Sequence, residues 1–314
     1  MPLKIYDRRE FLHLNSTMLI AAVIPTSFSA KKYKPLLSFS TLGCPDWDFE
    51  KIVAFAAANK YDGIEIRGIQ REMYLPKSPI FSKENIRTTI QMMKDRNLKL
   101  VDLGSSATLH FPEGDERKKN LDEGKRFIDL AQQISCPYVR VYPNNFPKDQ
   151  DKQPTKELIA KGLLELGDYA KGSNVTVLME THGDAVYIAD ILDIAKASAH
   201  EHVGLVWDPY NMWSVTKESP ESAYETLKKY IKHTHIKDAR QINGKAQFVL
   251  LGTGDSYIFE AINILVKNKF AGYYSFEWEK LWHPEIDDPE IAIADYPKAM
   301  ARLLQKPAHV SSLY

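Results

Sequence analysis

The stretch that decides the fold of this chain is Val203-Gly204-Leu205-Val206-Trp207-Asp208-Pro209-Tyr210-Asn211. It begins as a short apolar run, which is typical of a strand buried on both faces. The run ends at Asp208, and Pro209 cannot continue a central strand because it has no backbone N–H for the ladder. We therefore predict that Asp208 lies where a buried strand passes into a loop. A carboxylate there is costly unless it is paired or bound to a metal, so Asp208 is either a turn residue or a ligand.

The same rhythm of a short apolar run followed by an amphipathic stretch repeats along the chain and predicts eight strands, each followed by a helix. The predicted strands begin at Leu36, Gly63, Leu98, Tyr138, Thr176, Val203, His233 and Gly272. This alternation predicts an α/β protein with the (β/α)8 TIM barrel fold. A doubly wound sheet would need a glycine-rich phosphate loop after its first strand, and Leu42-Gly43-Cys44-Pro45-Asp46 has no such pattern. A longer loop is predicted from Gly244 to Asp255.

The composition excludes several classes of partner. Among 314 residues, Lys and Arg number 41 and so do Asp and Glu, so no overall positive charge attracts nucleic acid or a membrane surface. The two cysteines, Cys44 and Cys136, are too few for a disulfide framework and lack metal-site spacing. No linker rich in Pro, Gly or Ser divides the chain, and residues 31–314 are predicted to form one domain.

The first thirty residues differ from the rest. Arg8-Arg9 precedes the mildly apolar Met18–Ile24, and small residues follow at Ser27, Ser29 and Ala30. This order resembles a twin-arginine export signal, which is an address and not a stable membrane anchor. We therefore predict a signal segment over residues 1–30 and a periplasmic protein. If the segment is instead a disordered basic terminus, the protein is cytoplasmic.

Four side chains stand at the ends of four consecutive predicted strands: Glu180, Asp208, His235 and Glu277. In a TIM barrel the active site lies at this end of the strands, and adjacent strands are about 5 Å apart. Three carboxylates would repel one another at one point unless a cation lies between them. With one imidazole they form a site suited to a single divalent ion, Mn²⁺, Co²⁺, Mg²⁺ or Zn²⁺. The alternative is a set of ion pairs at the barrel rim.

Five motifs together carry a resemblance to a known superfamily. They are Glu180-Thr181-His182, Trp207-Asp208-Pro209-Tyr210-Asn211, His233-Thr234-His235-Ile236-Lys237-Asp238, Gly252-Thr253-Gly254-Asp255 and Ser275-Phe276-Glu277-Trp278-Glu279. In this order they resemble the xylose isomerase-like TIM barrels, which include sugar phosphate isomerases and epimerases, inosose dehydratases and apurinic endonucleases. The resemblance covers residues 36–304 and is not specific to one substrate.

The resemblance implies roles for the four strand-end residues. Glu180, Asp208, His235 and Glu277 match the ligands of a single metal ion, and Glu180 and Glu277 match the catalytic pair that exchanges a proton beside a carbonyl. The chemistry is consistent, because a cation stabilises the charge on the substrate oxygens. Two glutamates on opposite faces of the substrate can then remove and return a proton.

Six further side chains are candidate substrate contacts: Trp47, His110, His182, Asn211, Lys237 and Arg240. Ketose epimerases of the superfamily carry a histidine at the position of Asn211 and an arginine near Arg240, so the match to epimerases is incomplete. Lys237 either touches a substrate oxygen or pairs with Asp238. His110 and His182 are alternatively loop histidines, and Trp47 alternatively packs in the core.

The predicted function is that of a metal-dependent isomerase or epimerase acting on a small sugar or polyol derivative. The runner-up is a lyase or dehydratase, for example one that eliminates from a 3-keto-glycoside, and export favours it. The nuclease branch is disfavoured because Glu65, Arg67 and Asp102 stand where it has histidines, and because there is no basic surplus to hold a phosphate backbone. A non-catalytic sugar-binding barrel is a remote alternative. The sugar, the metal and a homo-oligomeric state stay open.

Overall fold

The computed structural model of this protein describes residues 33–305. The predicted signal segment, residues 1–30, lies outside these residues and stays a prediction. Within the described range no helix has both the length and the apolar character needed to cross a bilayer.

The described chain forms a closed barrel of eight parallel strands surrounded by helices, which confirms the predicted TIM barrel. The strands are β1 (Leu36–Ser40), β2 (Gly63–Ile66), β3 (Lys99–Thr108), β4 (Tyr138–Tyr142), β5 (Thr176–Glu180), β6 (Val203–Trp207), β7 (Ile231–Ile236), β8 (Asp238–Ile242), β9 (Lys245–Val249) and β10 (Tyr273–Phe276). The barrel runs β1-β2-β3-β4-β5-β6-β7-β10 and closes by parallel pairing of β10 with β1. Strands β8 and β9 form a separate antiparallel hairpin.

The helices follow the barrel strands in the predicted alternation. They are α1 (Phe49–Ala58), α2 (Ile86–Asp95), α3 (Asp115–Ile134), α4 (Gln153–Tyr169), α5 (Ile188–Ala197), α6 (Pro209–Thr216), α7 (Pro220–Leu227), α8 (Ile258–Lys267) and α9 (Pro289–Gln305). In α8 the buried residues Ile258, Ala261, Ile262 and Leu265 recur at helical spacing and form one face. Such faces cover the outside of the barrel.

The inside of the barrel is polar, whereas TIM barrels are typically filled with branched apolar side chains. Side chains alternate across a strand, so Ile64 and Ile66 join the apolar core while Glu65 between them reaches into the barrel. Likewise Val139 and Val141 flank Arg140 on β4. Alternation therefore directs charged side chains of several strands toward one interior space.

Two local structures differ from the sequence prediction. Pro209 does not begin a loop but is the first residue of α6, where its missing N–H costs no hydrogen bond. The predicted loop from Gly244 to Asp255 is in part the β8–β9 hairpin. Its turn is Asn243-Gly244, with φ angles of 51° and 76°, the backbone that a two-residue hairpin of primed type requires. The Asn-Gly pair was the signal for this hairpin in the sequence.

Candidate metal and active site

The four strand-end residues converge at the C-terminal mouth of the barrel. Glu180 ends β5, Asp208 follows β6, His235 lies near the end of β7 and Glu277 follows β10. One ligand atom of each lies within 4.8 Å of those of the other three. The Nδ1 atom of His235 is 3.3 Å from Oε1 of Glu180 and 3.3 Å from Oε1 of Glu277. All four side chains are buried, and we call them the ligand cluster.

Asp208 is both a turn residue and a member of this cluster. Its Oδ1 accepts the N–H of Asn211 at 2.8 Å and so caps α6. Its Oδ2 lies 2.9 Å from Nζ of Lys237. The Asp208 N–H donates to Oγ1 of Thr181 at 2.9 Å, which ties this position to the end of β5. Oδ1 therefore serves as a helix cap and Oδ2 contacts Lys237, while metal ligation by Asp208 stays a prediction.

Lys237 lies against the ligand cluster, and neither sequence alternative described its contacts. Its Nζ is 2.9 Å from Oδ2 of Asp208, 2.7 Å from Oε2 of Glu277 and 2.7 Å from Oε1 of Glu279. The predicted pairing with Asp238 is wrong, because that carboxylate accepts hydrogen bonds from the loop after β9. Burial lowers the pKa of Lys237, but the neighbouring carboxylates outweigh it and hold the pKa well above its usual value.

The two glutamates of the cluster occupy different electrostatic environments. Burial raises the pKa of Glu180, but His235 and the Arg140 guanidinium, whose Nε lies 3.2 Å from Oε2, outweigh it and hold this pKa below its usual value. For Glu277 burial dominates over the charges of His235 and Lys237 and raises the pKa to about 7. One carboxyl is therefore kept ionised while the other exchanges protons near neutral pH.

Beneath the cluster, Glu65 of β2 reaches across the barrel and binds three side chains. Its Oε2 lies 2.9 Å from Nε2 of His233 and 3.1 Å from Nε2 of His235, and it accepts the hydroxyl of Ser275 at 2.9 Å. A His235 that donates Nε2–H to Glu65 presents the lone pair of Nδ1 to the cluster, as in carboxylate–histidine–metal arrangements. Burial raises the pKa of Glu65, but both histidines outweigh it and hold the pKa well below its usual range.

The donor set of the ligand cluster fits one divalent cation. Three carboxylates and one imidazole, all buried and all within bridging distance of one point, are the oxygen and nitrogen donors that Mn²⁺, Co²⁺, Mg²⁺ and Zn²⁺ accept. Glu65, His233 and His235 also lie close enough to hold a metal. In that group, however, Oε2 of Glu65 is already engaged by three hydrogen-bonding partners.

Two of the six predicted substrate contacts border the cluster besides Lys237. The Nδ2 of Asn211 lies 3.5 Å from Oε1 of Glu180 and 3.3 Å from the carbonyl of Thr181. The ring of His182 lies 4.6 Å from that of Tyr142, and its Nδ1 is 3.0 Å from Oδ1 of Asn144. Both residues therefore line the mouth.

The remaining three predicted contacts lie elsewhere. Trp47 is buried, with its ring 4.8 Å from that of Phe55, so the core-packing alternative is the correct one. Arg240 is an exposed residue of the hairpin and donates to the carbonyl of Thr253. His110 is partly buried with its ring 4.2 Å from that of Phe111. No contact between any of these three and the ligand cluster is present in the described chain.

The sequence interpretation missed three polar side chains of the site: Glu65, Arg140 and Glu279. Glu65 and Arg140 each stand alone between apolar residues of a predicted strand. Because side chains alternate along a strand, a charged residue between two apolar residues that pack outward has to point into the barrel. This pattern could have identified Glu65 and Arg140 from the sequence. Glu279 lies two residues after Glu277, and its contact with Lys237 depends on how the chain leaves β10.

Comparison with known proteins places this geometry in a family. A family model described as xylose isomerase-like TIM barrel matches residues 53–303. No curated protein matches the sequence significantly. Solved structures that match include the probable 3-DHS dehydratase AsbF from Bacillus anthracis, with 17% identity, a TM-score of 0.70 and coverage of 84% of this chain and 98% of that chain.

Two other similar structures are an epimerase and a metal-binding protein. The 3-keto-D-glucoside 4-epimerase YcjR from E. coli has 15% identity, a TM-score of 0.68 and coverage of 87% of this chain and 100% of that chain. The IOLI protein with a bound zinc atom has 17% identity, a TM-score of 0.69 and coverage of 87% and 99% respectively. At these identities the three structures share the fold with this chain, and the likeness extends over nearly the whole barrel.

Proposed function

Because the chain belongs to the xylose isomerase-like TIM barrel family, we propose that it is a divalent-metal-dependent enzyme of the isomerase or epimerase type. Its substrate is a small sugar or polyol derivative that loses a proton next to a carbonyl. The observation that carries this proposal is the convergence of Glu180 and Glu277 with Asp208 and His235 within 4.8 Å. The similarity to a 3-keto-D-glucoside 4-epimerase supports it.

The four residues of the ligand cluster would bind the metal, and two of them also transfer the proton. Glu180, Asp208, His235 and Glu277 would hold the cation, which would supply Lewis-acid stabilisation of charge on the substrate oxygens. Glu180, kept ionised beside Arg140, accepts the proton from the carbon next to the carbonyl. Glu277, the other glutamate of the cluster, exchanges a proton with the opposite face of the substrate.

Neighbouring side chains orient these groups. Lys237 fixes the carboxylates of Asp208 and Glu277 and offers an ammonium group to a substrate oxygen. Asn211 contacts Oε1 of Glu180 and helps to hold it in place. Glu65 orients the ring of His235 through its contact with Nε2. His182 and Asn211 line the mouth where substrate enters, and neither carries the reacting proton.

A lyase is the second candidate function. Elimination begins with the same proton abstraction and then expels a group β to the carbonyl. The pairing of Lys237 with Glu277 and Glu279 at 2.7 Å favours this alternative, because it holds an ammonium group beside the cluster that can donate a proton to a leaving group. The similarity to a probable dehydratase is in keeping with it.

One experiment separates these functions. The protein is loaded in turn with Mn²⁺, Co²⁺, Mg²⁺ and Zn²⁺ and incubated in D₂O with ketohexoses and 3-keto-glucosides, and the products are followed by NMR. Deuterium beside the carbonyl of an intact skeleton supports epimerisation or isomerisation, whereas a released aglycone with an unsaturated sugar supports the lyase. A protein that binds no metal and forms neither product is a non-catalytic barrel, and the proposal fails.

The matched variant for this experiment is Glu180→Gln, which keeps the size of the side chain but removes the base and one anionic ligand, so its metal content is measured alongside and loss of product is assigned to the base only where the metal is retained. It should form neither product. An equal rate of deuterium incorporation in Glu180→Gln would contradict the assignment of Glu180 as the base.

A further inference from the structure

Three buried arginines of the barrel donate to main-chain carbonyls, and two of them also have a carboxylate partner. Arg117 donates to the carbonyls of Leu109 and Phe111, and its Nε is 3.7 Å from Glu113. Arg140 donates to the carbonyl of Ser105 at 2.7 Å, and its Nε is 3.2 Å from Glu180. In both cases a nearby negative charge compensates the buried guanidinium, as is usual in protein interiors.

Arg67 is the exception. It is 5% exposed, and its guanidinium donates to the carbonyl of Gly104 at 3.3 Å and to the hydroxyl of Ser106 at 3.0 Å. Both acceptors are neutral, and no carboxylate of the described residues lies within ion-pair distance of Arg67. A buried cation without a counter-charge costs free energy. The Tyr142 hydroxyl also hydrogen-bonds Arg67 and is neutral as well. A guanidinium has five N–H donors, so three neutral partners leave part of its donor capacity for an anion.

Arg67 lies at the same mouth as the ligand cluster. It follows directly on the last residue of β2, at the C-terminal end of the barrel. A Cβ atom at Gly104 would lie 2.7 Å from Cδ of Arg67 and 2.9 Å from Nη2 of Arg140, so the two side chains pass close to each other over this glycine. Arg140 in turn contacts Glu180. Arg140 therefore lies between Arg67 and the cluster.

The local charges agree with an uncompensated cation. Burial, and after it the charge of Arg140, lowers the pKa of Arg67. Tyr142 and, after it, the charge of Glu123 act in the opposite direction without reversing the shift. Oε1 of Glu123 accepts the N–H of exposed Ser106 at 2.6 Å. The β2–β4 side of the mouth thus carries two guanidinium groups, while the three carboxylates of the ligand cluster lie on the β5–β10 side.

We propose that Arg67, together with Ser106, forms a subsite for a carboxylate of the substrate, across the mouth from the ligand cluster. The inference rests on the proposed function, because it assumes that the reacting carbons lie at that cluster. A guanidinium matches the geometry of a carboxylate with two parallel hydrogen bonds. The preferred substrate class within the proposed function is accordingly a sugar acid or another polyol carboxylate.

The test compares ligands that differ only in the anionic group. Binding of D-gluconate and D-sorbitol, and of D-galacturonate and D-galactose, is measured by calorimetry on the metal-loaded protein. Wild type should bind the acid of at least one pair about tenfold more tightly than its neutral counterpart, the usual size of a charge-assisted pair. Arg67→Met should lose this preference while binding the neutral sugar as before. Arg302→Met, at an exposed arginine, should keep it.

The outcomes distinguish this subsite from the proposed function. Cobalt absorption should show equal metal affinity in wild type and Arg67→Met, since Arg67 contacts none of the four ligands. If metal binds but neither acid is preferred, or if Arg67→Met retains the preference, the subsite is overturned. If wild type binds no metal, the proposed function fails, and the same ligand pairs on that protein still decide the subsite. If Arg67→Met does not fold, Arg67→Lys replaces it as the test. Its preference for the acid over the neutral ligand should be severalfold smaller than that of wild type.

Discussion

The pKa of Asp102 depends strongly on the surroundings of this side chain in the barrel. It is fully buried on β3, opposite Glu65 in the register of β2 and β3. Neither of its carboxyl oxygens has a hydrogen-bond partner in the described chain. Burial, and next the charge of Glu65, raises its pKa from 3.8 to about 8. The folded protein therefore keeps Asp102 protonated at neutral pH, whereas the unfolded chain does not.

This difference predicts a pH-dependent effect of Asp102→Asn. Between pH 4 and pH 8 the native wild type binds one proton more than its unfolded state at this site, so stability falls as the pH rises, by at most about 1.4 kcal/mol per pH unit. Asn carries no such proton. The stability of Asp102→Asn relative to wild type should therefore increase from pH 5 to pH 8 and then level off.

Urea unfolding of the chelator-treated proteins at pH 5, 6.5 and 8 measures this effect. Asp149→Asn, at an exposed position, is the control and should show no such trend. A difference between Asp102→Asn and wild type that stays constant with pH would show that Asp102 is ionised in the folded protein.

At the scale of elements, the loop after β9 is held by Asp238. Its Oδ2 accepts the N–H groups of Gly252 at 2.9 Å and Gly254 at 3.0 Å, and its Oδ1 accepts the hydroxyl of Ser256 at 2.6 Å. Gly254 has to be glycine, because a Cβ there would collide with the Asp238 carboxylate. This contact explains the Gly-Thr-Gly-Asp motif.

The same segment covers the mouth of the barrel. Phe248 of β9 packs 5.7 Å from the ring of Tyr210 and 5.1 Å from that of His283. The ammonium of Lys237 lies 5.6 Å from the centre of the Phe248 ring. The hairpin is therefore a cover over the Lys237 side of the ligand cluster, fastened at its base by Asp238.

We predict that Asp238→Ala loosens this cover without unfolding the barrel. Losing several charge-assisted hydrogen bonds should destabilise the segment by about 1–3 kcal/mol. Amide exchange followed by mass spectrometry should accelerate roughly tenfold or more in residues 239–256, with β4 unchanged. Asp255→Ala is the matched control, since Asp255 accepts one backbone hydrogen bond, from Gln241. Equal acceleration in both variants, or in the whole barrel, would contradict the role of Asp238.

For the whole molecule, the interior of the barrel carries a surplus of negative charge. Five carboxylates, Glu65, Glu180, Asp208, Glu277 and Glu279, meet four cationic groups there, Arg67, Arg140, Lys237 and His235. A divalent cation would offset this surplus in the folded state. Because the ligands come from four strands far apart in the sequence, the unfolded chain offers no equivalent site.

Metal binding should therefore stabilise the folded protein. At a metal concentration about 100 times the Kd, the gain is about 2.7 kcal/mol, or several degrees in Tm. Calorimetry of the chelator-treated protein with and without Zn²⁺ or Mn²⁺ measures it. Asp208→Asn and His235→Ala should lose the metal-dependent shift, and Asp149→Asn should keep it. A shift that survives in both ligand variants would place the metal elsewhere.

The sequence by itself determined the barrel and the four residues of the ligand cluster. Strand ends, apolar alternation and the Asp-Pro break are local patterns, and in a TIM barrel every strand end meets the others at one mouth. The Asn-Gly hairpin turn and the helix-starting Pro209 were also locally encoded, and the same rules would have predicted them. Export over residues 1–30 stays a prediction.

Only the tertiary structure decided the partners of the charged side chains. Glu65 meets His233, 168 positions away in the chain, and Lys237 meets Glu277, 40 positions away. No local pattern specifies such distances, because they follow from how far each side chain reaches across the closed barrel. For the same reason only the fold could show that Arg140 is compensated by Glu180, while Arg67 has no carboxylate partner among residues 33–305.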